Sequence, residues 1–79
     1  MEPMADVTDL DTTGLKCPLP VLKAKKALKG MAGGATLKVL ATDPDSVKDF
    51  HNFCETTGDT LVDWSETDGV FTFLIEKAG

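Results

Sequence analysis

The sequence predicts an α/β protein of the α+β kind, a two-layer sandwich in which two helices cover one face of a four-stranded mixed sheet. Three observations predict this fold. The chain has 79 residues, which is enough for a single domain spanning residues 1–79. Its apolar residues recur at strand spacing and at helical spacing in the order βαβαββ. No repeat, low-complexity segment or linker separates these elements, and two layers around one core bury their apolar faces.

The first half of the chain predicts a strand, a turn and a helix. Residues 1–5 carry no pattern and are expected to form a flexible end, whereas Val7 and Leu10 alternate with polar residues across 6–11 as in a short edge strand. Residues 12–14 predict a turn. Residues 18–30 predict a helix that glycines terminate. The apolar side of this helix consists of Val21, Ala24, Leu28 and Met31, with Leu22 and Ala27 beside them.

The second half predicts a strand, a helix and a hairpin. Residues 36–41 alternate as a half-buried strand does. Asp43 is expected to cap the second helix, with Pro44 at its first position and Gly58 at its end. Residues 60–64 and 70–76 predict two strands joined by a loop of several residues that contains Asp68 and Gly69. The buried side of the second helix is predicted to consist of Val47, Phe50, Phe53, Cys54 and Thr57.

Composition and the two cysteines exclude several classes of protein. Hydrophobic residues make up 42% and charged residues 27%, which is typical of a soluble globular domain. No apolar run is long enough to cross a membrane, and the N-terminal residues do not resemble a secretory signal, so a cytoplasmic location is expected. Cys17 and Cys54 are expected to be free thiols in a reducing compartment. With His51 as the single histidine, they offer too few ligands for a zinc site, and no metal is expected.

The charges are unevenly distributed. The net charge is −5 and the chain has no arginine, which argues against direct nucleic-acid binding. One stretch nevertheless has several lysines and no acidic residue. This stretch is either a solvated helix face or a surface that docks an acidic protein partner. Its lysines are Lys16, Lys23, Lys25, Lys26 and Lys29.

Cys17 is the candidate reactive residue. Pro18 and Pro20 are compatible with a helix only in its first turn, so the sequence predicts Cys17 at a helix N-terminus. Unpaired backbone N–H groups, the helix dipole and the neighbouring Lys16 would all stabilise a thiolate there, and the pKa of Cys17 is expected to be lowered. The same electrostatic field would stabilise a persulfide anion. The alternative is that Cys17 is merely a small buried residue.

The residues around Cys17 are expected to support it without supplying a base. Gly14 is expected to adopt a backbone conformation closed to other residues, and the prolines leave the N–H groups of Leu19 and Val21 as the donors near the sulfur. His51 is predicted to lie on the surface of the second helix, so no catalytic triad can be assembled and a complete hydrolase is not expected. Cys54 is predicted to be a core residue.

The segment around Cys17 resembles a known family. Residues 14–20, Gly-Leu-Lys-Cys-Pro-Leu-Pro, match the Cys-Pro-x-Pro signature of the TusA, or SirA-like, family of sulfur carriers. Asp11 and Gly14 match the residues before the cysteine, and Asp43-Pro44 matches the start of the second helix. The stretch 48–54 resembles the body of that helix, so the likeness covers almost the whole chain.

This resemblance implies a function for the thiol. Cys17 would accept sulfur as a persulfide from a cysteine desulfurase or a rhodanese and pass it to a DsrE-type sulfurtransferase. The persulfide sulfur would be the only covalent group, with no other cofactor, and the carrier would act with partners rather than as a stand-alone enzyme. Members of the family serve tRNA 2-thiouridine formation, cytoplasmic sulfur oxidation or molybdenum-cofactor synthesis. Since no fused segment is present, the resemblance favours a stand-alone carrier.

Two other functions remain open from the sequence. Cys17 could form mixed disulfides in a redox or regulatory adaptor that transfers no sulfur. A two-layer fold of this kind could also be an RNA-binding module, which the acidic composition disfavours. For the carrier, the surface that docks a partner is expected to consist of Leu15, Leu19 and the lysines Lys23, Lys25, Lys26 and Lys29.

Overall fold

The structure of the protein, a computed structural model, describes residues 7–78. The elements are β1 (Val7–Thr12), α1 (Leu19–Lys29), β2 (Thr36–Ala41), α2 (Ser46–Thr57), β3 (Thr60–Thr67) and β4 (Val70–Glu76). The predicted α+β architecture, with two helices and a four-stranded mixed sheet, is confirmed. The flexible end predicted for residues 1–5 and the strand start predicted at Asp6 lie outside the described residues.

The sheet brings two loops of the chain together. Its strand order is β1-β2-β4-β3, with β1 parallel to β2 and the other two pairs antiparallel. In the parallel pair, Thr12 lies opposite Ala41 at the same edge of the sheet. The loop that follows β1 therefore runs beside the loop that follows β2. The Thr12 hydroxyl donates to the Leu40 carbonyl, and the Gly14 N–H donates to Thr42 Oγ1 at 2.8 Å, so the loops are directly bonded.

The core lies between the helices and one face of the sheet. Phe50 of α2 is fully buried, and its ring centroid lies 4.6 Å from that of Phe73 on β4. Burial of such aromatic side chains contributes much of the stability of a domain this small. The remaining buried apolar residues alternate along the strands or recur one helical turn apart, and they are Ala24, Leu28, Leu37, Val39, Ala41, Cys54 and Ile75.

In both helices, some residues that the sequence places on or beside the buried side are exposed or only half-buried. Leu22 is 53% exposed, and Thr57 is exposed, although the sequence places both on or beside apolar stripes. Val47 and Phe53 are half-buried. Helix α1 also spans Leu19–Lys29 rather than residues 18–30. No helix within residues 7–78 is long and apolar enough to span a bilayer.

The predicted start of α2 is wrong. The helix begins at Ser46 after Asp45, rather than at Pro44 after an Asp43 cap. Asp43 is engaged elsewhere, because its carboxylate accepts hydrogen bonds from the backbone N–H groups of Cys17 and Asp45. Gly58 does end the helix as predicted, with φ at 85° in the left-handed region.

The predicted hairpin loop is also too long. Strand β3 continues to Thr67, so only Asp68 and Gly69 connect it to β4. Both residues have positive φ, at 51° and 82°, the geometry of a tight two-residue hairpin turn. The exposed, polar residues at the end of β3 lack the apolar alternation that would have revealed a strand.

Candidate functional site

The loop between β1 and α1 positions Cys17. The Leu15 N–H donates to the Thr12 carbonyl at 3.2 Å, which turns the chain back after the strand. Gly14 has a φ of 82°, which is the left-handed conformation that favours glycine, so the prediction for this residue is confirmed. Its bond to Thr42 ties this turn to the loop after β2.

At the start of α1, one backbone N–H group that was predicted to lie near the sulfur is bonded elsewhere. Pro18 occupies the N-cap and Pro20 is buried in the first turn, so Cys17 lies just before the helix. The Cys17–Pro18 peptide bond is cis. The Leu19 N–H, predicted to face the sulfur, instead donates to the Lys16 carbonyl at 2.9 Å. Cys17 itself is exposed and its thiol is free.

Aspartate residues surround the thiol. The Cys17 Sγ–H donates to the Asp49 carboxylate of α2, and the Cys17 N–H donates to Asp43. Asp45 belongs to the same loop as Asp43, and its N–H donates to Asp43 Oδ1 at 3.0 Å. The bonds from these two N–H groups lower the pKa of Asp43, since they stabilise its charged form.

The predicted acidity of Cys17 is therefore wrong. The hydrogen bond to Asp49 is the largest influence, and with desolvation and the charges of Asp49, Asp43 and Asp45 it raises the pKa of Cys17 to about 11. A carboxylate beside a thiol disfavours the thiolate by repulsion between like charges. At neutral pH the sulfur is a neutral thiol, because the effect of the nearby carboxylates outweighs that of the helix dipole.

Two depressions meet at this pair of residues. A cleft formed by the two adjoining loops contains Cys17, and a groove between α1 and α2 contains Asp49. The cleft is otherwise lined by Gly14, Leu15, Lys16, Thr42, Asp43, Pro44 and Asp45. The groove is otherwise lined by Pro18, Val21, Leu22, Lys25, Asn52, Phe53, Thr56 and Thr57. Within residues 7–78 no group of His, Cys, Asp and Glu side chains is arranged to hold a metal ion.

The structure separates the residues predicted to bind a partner. Leu15 and Lys16 line the cleft, and Lys25 lines the groove. Leu19 is 45% exposed next to them. The other predicted lysines, Lys23, Lys26 and Lys29, are exposed along α1.

The sequence interpretation missed the aspartates and the apolar groove. Asp49 lies 32 residues from Cys17, and no local pattern connects them. The parallel pairing of β1 and β2 would have been a usable signal for Asp43, because it sets their following loops side by side. Leu22 was assigned to the edge of the core, whereas it is exposed in the groove.

The remaining titratable candidates lie away from the cleft. Cys54 is buried as predicted, and burial, followed by the charge of Asp59, raises its pKa to about 11. His51 is exposed as predicted. Its Nδ1 lies 2.7 Å from the Val47 carbonyl, and its ring contacts the Trp64 ring edge-on with centroids 6.2 Å apart.

These features define a class of protein: a small two-layer α+β domain that presents one thiol in an open cleft at the start of a helix. The family model described as sulfurtransferase TusA matches residues 8–77. A sulfur carrier protein TusA of Allochromatium vinosum is 53% identical over 76 residues, which cover 95% of this chain and all of the relative. One from Pseudomonas putida is 41% identical over 68 residues, covering 86% of this chain and 85% of the relative.

A solved structure supports the same grouping. The SirA-like protein of Desulfitobacterium hafniense superimposes with a TM-score of 0.78 at 29% sequence identity, covering 92% of this chain and 99% of that one. The chain belongs to the TusA family of sulfur carriers and sulfurtransferases.

Proposed function

We propose that this protein carries sulfur as a persulfide on Cys17 and delivers it to a partner protein. The observation that carries the proposal is the exposed, free Cys17 thiol in an open cleft of a member of the TusA family. A sulfur atom moves between proteins only when two cysteines meet, and an open cleft admits a second cysteine. Cys54 is buried on the core-facing side of α2 and does not offer such access.

The transfer is an exchange of one S–S bond for another. The Cys17 sulfur bonds to the terminal sulfur of a donor persulfide, and the donor's own S–S bond breaks. The electron pair of that bond stays on the donor cysteine, which takes up the proton that Cys17 gives up. Delivery repeats the exchange with an acceptor cysteine, and no external oxidant or reductant is consumed. No prosthetic group takes part.

The proposed partners are of the kinds that the resemblance to the family implies. The donor is a cysteine desulfurase or a rhodanese and the acceptor is a DsrE-type sulfurtransferase, in the cytoplasm, where reducing conditions keep an exposed thiol free. The sulfur then serves tRNA 2-thiouridine formation or cytoplasmic sulfur oxidation. Neither step needs this chain to bind nucleic acid directly or to enter a membrane.

The surface around Cys17 supports a transient protein interface. Leu19 and Leu22 are 45% and 53% exposed beside the site, and they offer apolar contact area. Lys16 and Lys25 add positive charge at the cleft and the groove. In small interfaces such charges govern the encounter rate more than the final affinity.

Loading can be tested by intact mass. Wild-type protein is incubated with a cysteine desulfurase and cysteine, and the expected result is a gain of one sulfur atom that a reductant removes. Cys17→Ser should gain none, whereas Cys54→Ala should gain one as the wild type does. Sulfur on Cys17→Ser at the wild-type level would contradict the site. Failure of every sulfur donor, with mixed disulfides forming instead, would favour the redox adaptor.

A further inference from the structure

The carboxylate of Asp49 is the group bonded to the sulfur atom of Cys17. Asp49 lies in the first turn of α2, where its own N–H donates to the Asp45 carbonyl at 3.1 Å. The next residue, Phe50, is fully buried in the core and anchors that turn. The carboxylate is therefore carried by a rigid element and held against the thiol, rather than swinging freely in solvent.

The other charged groups near Cys17 are placed differently. Asp43, from the loop before α2, accepts hydrogen bonds from two backbone N–H groups, one of them that of Cys17, which commits its oxygens to the backbone. Asp45, from the same loop, acts on the thiol through its charge. From the β1–α1 loop, Lys16 lines the cleft and cannot accept a proton as an ammonium ion.

We propose that Asp49 is the proton acceptor for Cys17 during sulfur transfer. The inference rests on the proposed function and adds a second catalytic residue to it. In the free carrier, the proton stays on sulfur and the thiol donates it to the Asp49 oxygen. As the new S–S bond forms, the attacking sulfur loses electron density and its proton becomes strongly acidic. The proton then passes to Asp49 and from there to the departing donor thiolate.

This arrangement reconciles a weakly acidic thiol with transfer chemistry. A carboxylate beside the sulfur suppresses the thiolate when no partner is present, which protects the exposed cysteine from oxidants, since the thiolate is the reactive form. The same carboxylate supplies the base at the moment of attack. Positioned acids and bases contribute on the order of 10²-fold or more to such steps.

The two roles predict opposite effects of one substitution. Asp49→Asn removes the negative charge from the acceptor of the Cys17 thiol, so the pH midpoint for alkylation of Cys17 should fall from about 11 towards the ordinary 9.0. Desolvation and the charges of Asp43 and Asp45 remain in this variant, so the shift is at most two pKa units and the thiolate fraction rises at most about 100-fold at neutral pH. Lower intrinsic nucleophilicity offsets about tenfold of this gain, so alkylation by iodoacetamide should become up to about tenfold faster.

Sulfur loading should change in the other direction. Loss of the proton acceptor should lower the loading rate about 10²-fold. The greater reactivity of the thiol offsets about tenfold of this loss, so loading should slow about tenfold at pH 7. The probe is glutathione persulfide, with loading followed by intact mass, so no protein donor has to be chosen. Asp49→Glu, which restores a carboxylate, should recover part of the loading rate.

Asp9→Asn is the matched control. It makes the same chemical change on exposed β1, beside Lys38 and on the face of the sheet opposite the core, and it should leave both readouts unchanged. Should Asp49→Asn fail to unfold cooperatively, Asp49→Ser removes the carboxylate with a smaller side chain and gives the same two readouts.

The outcomes separate the two proposals. Faster alkylation with slower loading in the Asp49 variant supports the proton-acceptor role. An unchanged alkylation midpoint, or loading that is unchanged or accelerated, overturns it. A wild-type protein that gains no sulfur from any donor contradicts the proposed function itself, before Asp49 is considered.

Discussion

Cys17 should react more slowly than an ordinary cysteine at neutral pH. In the structure its pKa is raised from 9.0 to about 11, first by the hydrogen bond to Asp49. At pH 7 the thiolate fraction is then about 100-fold smaller than that of an unperturbed thiol. A more basic thiolate is about tenfold more nucleophilic over the same interval. The expected net effect is alkylation about tenfold slower, or somewhat less, because water screens an exposed site.

The assay is the rate of alkylation by iodoacetamide between pH 6 and about 10. Cys54→Ala protein leaves Cys17 as the single thiol, and a synthetic peptide of residues 14–20 provides the unfolded reference. The peptide rate should level off near the ordinary pKa of a cysteine, about 8.5 to 9. The rate for the folded protein should still be rising at the highest pH. A plateau for the protein at or below that of the peptide would refute the reasoning from Asp49.

Three further predictions concern docking and stability. Lys25→Glu should slow sulfur transfer to an acceptor severalfold at low salt. Lys26→Glu should slow it less, because Lys25 lines the groove and Lys26 does not. Equal effects of the two substitutions would mean that only the overall charge of the protein matters. Cys54→Ala should lower the free energy of unfolding by about 1–2 kcal/mol in urea at pH 7. Because the folded pKa of Cys54 is raised, its stabilising contribution is complete below pH 9 and is lost as the pH rises towards 11, so the difference between wild type and variant should shrink there. Lys77 donates to the carbonyls of Leu28 and Met31 at 2.6 and 2.7 Å. Lys77→Ala should cost about 1–3 kcal/mol in thermal unfolding, and no loss would show that these bonds contribute nothing net.

The fold was predictable because its apolar periodicities are local. Strands β2 and β4 occupy the predicted residues, since their alternating side chains face a continuous core. The helices were placed correctly in outline for the same reason. The start of α2 was misjudged because Asp43 looks like a cap in sequence, whereas in the fold its carboxylate is bonded to Cys17 and Asp45.

The chemistry of the site was only half predictable. The exposure of Cys17 follows from Pro18 and Pro20, which confine the cysteine to the start of α1. The state of its thiol depends on Asp49, a residue brought near only by packing of α2 beside α1. Local effects such as the helix dipole fall off within one turn and are weak, so a single carboxylate in contact with the sulfur outweighs them.

Delivery of sulfur tests the central claim most directly. The protein is loaded with isotopically labelled sulfur from a cysteine desulfurase, separated from the donor, and mixed with a DsrE-type acceptor. The expected result is that one labelled sulfur atom leaves Cys17 and appears on an acceptor cysteine, with the carrier thiol restored. Label that stays on the carrier, or a lasting mixed disulfide between the two proteins, would contradict it.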